Sequence, residues 1–174
     1  MTSITGRDGR NHRLPQGADP LPSRFMPSSS DHPASAESRV RVRYKETDQM
    51  GIAHHANYLP WFEIGRTDLC RLLGTSYREI EEQGLLLVVA EIGCRYRTPF
   101  RYDDEVVIRT IVEMASSRGM RFRYELFDAS GKTLHASGFT SHIWLDAATR
   151  RPTSVRGEML QKFAAIAQKR VRGV

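Results

Sequence analysis

The chain is poor in cysteine, has no long apolar run and shows no nucleophile signature, and each absence removes a class of function. Its only cysteines are Cys70 and Cys94 in 174 residues. Two thiols without metal-ligand spacing argue against a disulfide framework and point to a reducing compartment. The longest aliphatic run, residues 85–90, falls far short of the roughly 18 residues that a membrane span needs. The N-terminus has no apolar segment of the kind a secretory signal carries, so a cytoplasmic location is expected. There is no serine nucleophile elbow, no Cys-His-Asn signature and no glycine-rich phosphate loop. Gly131-Lys132 lacks both the earlier glycine and the following helix of a P-loop.

What is present is the composition of one soluble domain, 40% apolar and 26% charged. The net charge of +6 is localised: residues 150–174 carry seven basic residues against Glu158 alone, and the remainder is balanced. A basic terminal helix suits either a solvated face or an anionic partner. No aromatic residues interleave those charges for base stacking, so neither nucleic acid nor membrane is expected as a partner.

Residues 1–37 are rich in Ser, Pro, Gly and Asp and lack periodicity, which predicts a disordered extension ahead of a folded domain at 38–174. Residues 39–45 alternate, with Val40, Val42 and Tyr44 apolar and basic residues between, as in a half-buried edge strand. A helix is expected from an Asn57 N-cap to about Leu73, ended by Gly74. Tyr58, Phe62, Gly65, Leu69 and Leu72 fall on one stripe of it, and Gly65 suits close approach by another element. A shorter helix follows over 76–83.

The pattern then turns strand-like: a long, largely buried strand over 85–96 bent at Gly93, a second over 105–115, a third over 120–126 and a fourth over 132–145. A helix over 154–170 closes the chain. Short links predict that the four strands form an antiparallel meander with the long apolar helix across one face, an α+β arrangement. A five-stranded antiparallel sheet wrapped around a central helix, with a C-terminal helix, is the hotdog fold.

Between the first strand and that helix lies Thr47-Asp48-Gln49-Met50-Gly51-Ile52-Ala53-His54-His55-Ala56-Asn57-Tyr58. A helix N-terminus presents free N–H groups to an anion or a developing oxyanion. A carboxylate held opposite them, with Gly51 allowing the tight turn, meets the needs of acyl transfer. Asp48 has a second reading, as a turn cap bonded to the amide of Met50 or Gly51. His54 and His55, with Asp48 or Asp68 as a third ligand, lack useful metal-ligand spacing, so no metal is expected.

Tyr44-x-x-x-Asp48-x-x-Gly51-Ile52-x-x-His55-x-Asn57-Tyr58-x-x-Trp61-Phe62-Glu63 resembles the signature of the 4-hydroxybenzoyl-CoA thioesterase family of hotdog acyl-CoA thioesterases. The segment Cys94-Arg95-Tyr96-Arg97-Thr98-Pro99-Phe100-Arg101-Tyr102-Asp103-Asp104 is similar to that family's next block, and the likeness covers about residues 39–165. It implies hydrolysis of an acyl-CoA to free acid and CoA, with Asp48 as nucleophile or general base. It puts carbonyl polarisation on the backbone N–H of His55, loop positioning on Asn57, and the acyl pocket against Tyr58. Arg118 and Arg121, on and after the turn before the next strand, would meet the phosphates of CoA. Glu63 is as much a helix-surface charge as a site residue.

No cofactor is implied, since CoA is part of the substrate. A homodimer or homotetramer with the site at the interface is. The alternatives are another acyl-thioester enzyme, such as an acyl-carrier-protein thioesterase or a hotdog hydratase, and a non-catalytic acyl-CoA-binding module.

Overall fold

A computed structural model of the chain describes residues 35–169. Residues 1–34 of the expected N-terminal extension lie outside them. The described part begins with β1 (Ser35–Arg41), so the strand starts inside the stretch expected to be extension. Then come α1 (Tyr58–Leu72), α2 (Tyr77–Glu82), β2 (Leu85–Tyr96), β3 (Glu105–Ala115), β4 (Gly119–Phe127), β5 (Leu134–Asp146) and α3 (Glu158–Lys169).

The strands form one antiparallel sheet in the order β1-β3-β4-β5-β2. Only β3, β4 and β5 are a meander. The link between β2 and β3 does not make a hairpin; its eight residues, 97–104, carry the chain from one edge of the sheet to the other side. As a result β2 is an edge strand paired to β5 alone, and it is largely exposed, contrary to the buried strand its aliphatic run predicted. The run reads as core because aliphatic content reports apolar surface but not what covers it. The irregularity in β2 falls between Val89 and Glu91 rather than at Gly93. Gly93 instead gives room to Phe139, whose ring would lie 2.5 Å from an added Cβ.

Helix α1 lies across the inner sheet face. Tyr58, Phe62, Gly65 and Leu69 are buried as the stripe predicted, whereas Leu72 is 40% exposed and Leu73, four residues after Leu69, takes the buried position. Gly65 allows the closest approach: a Cβ there would lie 2.2 Å from Thr110 Oγ1 and 2.9 Å from the side chain of Ile108. The ring of Phe62 stacks on Tyr124, with centroids 4.3 Å apart. Gly65 therefore faces β3, while Phe62, one turn earlier, faces Tyr124 of β4 and Gly138 of β5. In α2, Ser76 and Glu79 form a capping box, each side chain taking the other's backbone N–H. Helix α3 packs Phe163 and Ile166 into the same core. No described helix is long and apolar enough to cross a membrane.

Candidate active site

The loop from β1 to α1 is a hairpin whose two arms are locked together. Strand β1 ends at Arg41, earlier than the alternation predicted, and the chain folds into a 3-10 turn at Tyr44–Glu46. Tyr44 is thereby exposed instead of half-buried. The turn is set by Glu46, whose carboxylate is buried and accepts from the Arg43 guanidinium at 2.5 Å and the Arg43 N–H at 2.8 Å. Burial pushes the Glu46 carboxyl up, but the bonds from Arg43 outweigh it and hold the group below the usual carboxylate range. The Glu46 carbonyl then accepts twice from the far arm, from His54 N–H at 2.8 Å and from Asn57 Nδ2 at 2.7 Å.

Asp48 occupies the tip of this hairpin. Its N–H donates to the carbonyl of Ile52 at 3.0 Å, and its own carbonyl accepts from Gly51 at 2.9 Å. Gly51 has φ +71°, the left-handed conformation that lets the tip reverse within so few residues. Carboxylate oxygen Oδ1 accepts from the Met50 N–H at 2.8 Å, so the turn-cap geometry is present. The cap engages one oxygen and leaves Oδ2 without a protein partner among the described residues. Capping and chemistry are therefore compatible for Asp48: one oxygen orients the carboxylate, and the other is available.

The far arm enters α1 through a second 3-10 turn, His55–Asn57. His54 caps it, with Nδ1 accepting from the Ala56 N–H at 3.3 Å. The extra turn changes the expected role of Asn57. It stands at the helix N-cap position but has helical φ and ψ and caps nothing; its side chain turns back to Glu46 instead. The N–H of His55 makes no hydrogen bond among the described residues, whereas the N–H groups of His54, Ala56 and Asn57 are all taken. One donor at the foot of α1 is thus left over, with the helix dipole behind it.

Around that donor lies an aromatic wall. Tyr96 donates its hydroxyl to the His55 carbonyl at 3.1 Å. Its ring meets the buried Tyr58 edge-on, at 4.9 Å between centroids. Tyr58 also packs on Trp61 and Phe100, and burial raises its hydroxyl pKa. The Phe100 carbonyl accepts from the Ala53 N–H at 2.8 Å and ties the hairpin to the β2–β3 link. Glu46, Tyr96 and Phe100 were not singled out in the sequence. The visible hints were the Arg43-to-Glu46 spacing and, for Tyr96 and Phe100, their place in the block at residues 94–104.

Asp48, Gly51, His55, Asn57 and Tyr58 lie on this one hairpin and its entry into α1; Arg118 and Arg121 lie apart from them. Tyr96 pairs with Ala136 at one end of β5, and the Arg118 carbonyl accepts from Trp144 at the other. Eight residues of strand separate the two ends, roughly 25 Å. Arg118 is exposed on its turn. Arg121 lies on the outer sheet face, its guanidinium 2.9 Å from Glu113, 3.0 Å from Ser141 Oγ and stacked 3.8 Å over Phe139. These contacts line a shallow concavity of about 440 Å³ that none of the Asp48-loop residues borders. Among the described residues no three His, Cys, Asp or Glu side chains converge as metal ligands would. The two histidine rings tilt against each other at 4.1 Å, and Asp68 binds Ser38 and Arg71.

Comparison with known proteins bears on the whole described domain. Residues 42–163 match the family model of the thioesterase-like superfamily. The chain is 36% identical over 121 residues to YneP of Bacillus subtilis (strain 168), covering 70% of this chain and 87% of YneP. It is 35% identical over 124 residues to the acyl-CoA thioester hydrolase YbgC of Escherichia coli O6:H1, 71% of this chain and 92% of YbgC. Among solved structures, the DHNA-CoA thioesterase of Staphylococcus aureus superposes with a TM-score of 0.66 at 33% identity, covering 69% of this chain and 80% of that one.

Proposed function

The chain belongs to the thioesterase-like superfamily as a hotdog-fold thioester hydrolase, and from that premise we propose that it hydrolyses an acyl-CoA to the free acid and CoA, with Asp48 as the reacting carboxylate. The observation that carries the reading is the unpaired His55 N–H on the same locked hairpin as a carboxylate with one oxygen available. A thioester carbonyl seated against that N–H is polarised by it, and the charge that develops as the carbon becomes tetrahedral meets the N-terminal end of α1. Asp48 then either takes a proton from the attacking water as the thiolate of CoA leaves, or attacks the carbon directly, expels the thiolate and forms an acyl anhydride that water hydrolyses to the free acid and Asp48.

His55 contributes its backbone, so its imidazole is dispensable. Asn57 and Glu46 are positioning residues that hold the two arms in register. Tyr58 and Tyr96 form the wall against which the acyl group starts.

Arg118 enters this scheme, as the expected phosphate partner, through a second copy. Edge strand β2 leaves one side of its backbone without a partner among the described residues. Two copies of β2 paired antiparallel about a two-fold near Ala90 bring the Tyr96 end of one beside the Leu85 end of the other. Arg118 sits at that Leu85 end, so the partner's Arg118 approaches the Asp48 loop that its own chain cannot reach. The same pairing would satisfy the backbone N–H and C=O groups that β2 leaves open at the sheet edge. Thiol release from a panel of acyl-CoAs, run on the wild type and on Asp48→Asn, tests the proposal. Turnover of at least one thioester that the variant loses supports it, and turnover retained by the variant refutes the role of Asp48.

A further inference from the structure

Under α1 the core contains a chain of polar groups that the site just described does not use. Arg66 donates from Nε to the Tyr77 hydroxyl at 3.1 Å. The Tyr124 hydroxyl and Thr140 Oγ1 are 2.7 Å apart, and Thr140 Oγ1 is 2.8 Å from His142 Nε2. Tyr124, Thr140 and His142 are almost wholly buried, on the same inner face as Phe122 and Trp144. Arg66 is itself only 12% exposed, yet its one ion-pair partner among the described residues is Glu63, at 3.3 Å and 68% exposed. A guanidinium withdrawn from water is costly unless it is paired. A solvated carboxylate that pays its own entropy to stay in place is a weak partner.

The cluster is not sealed. Antiparallel partners point to the same face of a sheet. Ile92 pairs with Thr140 and Val89 with His142, so both point to the inner face beside those polar groups. Both are nonetheless about two-fifths exposed, and Tyr96 further along is nearly half exposed. An open apolar strip therefore runs along β2 from Tyr96, at the thioester subsite, past Ile92 to the level of Arg66. Along α1 the same interval, Tyr58 to Arg66, is eight residues or about 12 Å. A helical side chain leans back toward the N-terminus, so the guanidinium lies closer still, which suits about six to eight carbons between the two ends.

Building on the thioesterase reading above, we propose that the acyl group is a medium-length chain ending in a carboxylate, and that Arg66 is the specificity-determining residue that receives this second carboxylate. The methylenes lie on Tyr96 and Ile92, and the distal carboxylate takes the place of Glu63 beside Arg66. Guanidinium and carboxylate form parallel charge-assisted bonds, stronger out of water than the surface pair they replace. Tyr77 orients the guanidinium from its Nε side and leaves the terminal nitrogens for the ligand.

Suberoyl-CoA and octanoyl-CoA have chains of equal length and differ in the distal carboxylate, so the ratio of their kcat/KM values reads the proposal directly. The wild type should favour suberoyl-CoA by about tenfold or more, with the difference in KM. In Arg66→Gln the ratio should collapse toward one, and Arg66→Lys should restore part of it. Glu63→Gln removes the competing carboxylate and should raise the ratio, which keeps a test available if Arg66→Gln does not fold. A wild-type ratio at or below one, or a ratio that Arg66→Gln leaves unchanged, overturns the inference while leaving thioester hydrolysis standing. Failure of the wild type to release thiol from any acyl-CoA overturns the activity and this inference together.

Discussion

Asn57 Nδ2 donates a 2.7 Å hydrogen bond to the carbonyl of Glu46, eleven residues earlier, and so closes the hairpin that carries Asp48. The same carbonyl accepts the His54 N–H, so one oxygen fixes both the entry to α1 and the distance between the two arms. Asn57→Ala removes one of the two bonds without touching the carboxylate. It should cost about 1 kcal/mol of stability and lower the melting temperature by a few degrees. Because the arms lose register, kcat should fall by about tenfold while KM changes little. An equal loss in a remote surface variant would show that the hairpin has no special role.

Asp48→Asn separates capping from chemistry better than Asp48→Ala does. The asparagine carbonyl can still accept from the Met50 N–H, so the turn is kept while the charge is lost. Thioester hydrolysis should drop by about two to four orders of magnitude with an unchanged melting temperature. His55→Ala leaves the backbone N–H in place and should stay within about tenfold of wild type. Equal loss in both variants, measured by thiol release on folded protein, would show that the imidazole is needed and that His55 does not act through its backbone alone.

Gly65→Ala places a methyl 2.2 Å from Thr110 Oγ1, between α1 and β3. Overpacking of this kind costs about 1–3 kcal/mol, measurable as a lower urea midpoint at constant slope. The double variant with Thr110→Ala removes the clashing oxygen and should recover part of the loss. Without any recovery, the contact is not the cause.

His142 is buried beside Arg66, and first burial and then that charge depress its pKa to about 4. Unfolded histidine titrates near 6.5, so between about pH 6.5 and pH 4 the unfolded chain binds the extra proton. Stability from this group is therefore complete above the unfolded value, falls as pH drops through that window, and levels off below the folded value. The loss amounts to about 3 kcal/mol, as an order of magnitude. His142→Gln has no such proton to bind, so its stability should depend less on pH over the same window. Parallel slopes for the two proteins in urea melts would contradict this.

Pairing of β2 between copies predicts that Ala90→Pro, placed at the bulge where the ladder to β5 is already interrupted, shifts the protein toward monomer. Thioester hydrolysis should fall with it, by about tenfold or more, if the second copy completes the CoA site. Sedimentation velocity beside the thiol-release assay checks both halves. A dimer that survives, or a monomer with full activity, contradicts the arrangement.

The sequence by itself determined the parts governed by local chemistry. Periodicity fixed α1 and the strands to within a few residues, Gly51 and Gly74 marked positions of positive φ, and the spacing from Asp48 to Asn57 put the chemical groups on one connection. Tertiary structure decided what depends on neighbours distant in the chain. An aliphatic run such as β2 has the same pattern at an edge as at the centre of a sheet, so only strand order revealed its exposure. A carboxylate such as Glu46 reads as a surface charge until the fold buries it against Arg43. Arg118 and Arg121 stood near the right block of sequence, yet the strands carry them away from Asp48 within one chain. Arg66, one polar residue on a mostly apolar helix, acquires its meaning only when Tyr77, from α2, closes on it beside Tyr124 and Thr140 of the sheet.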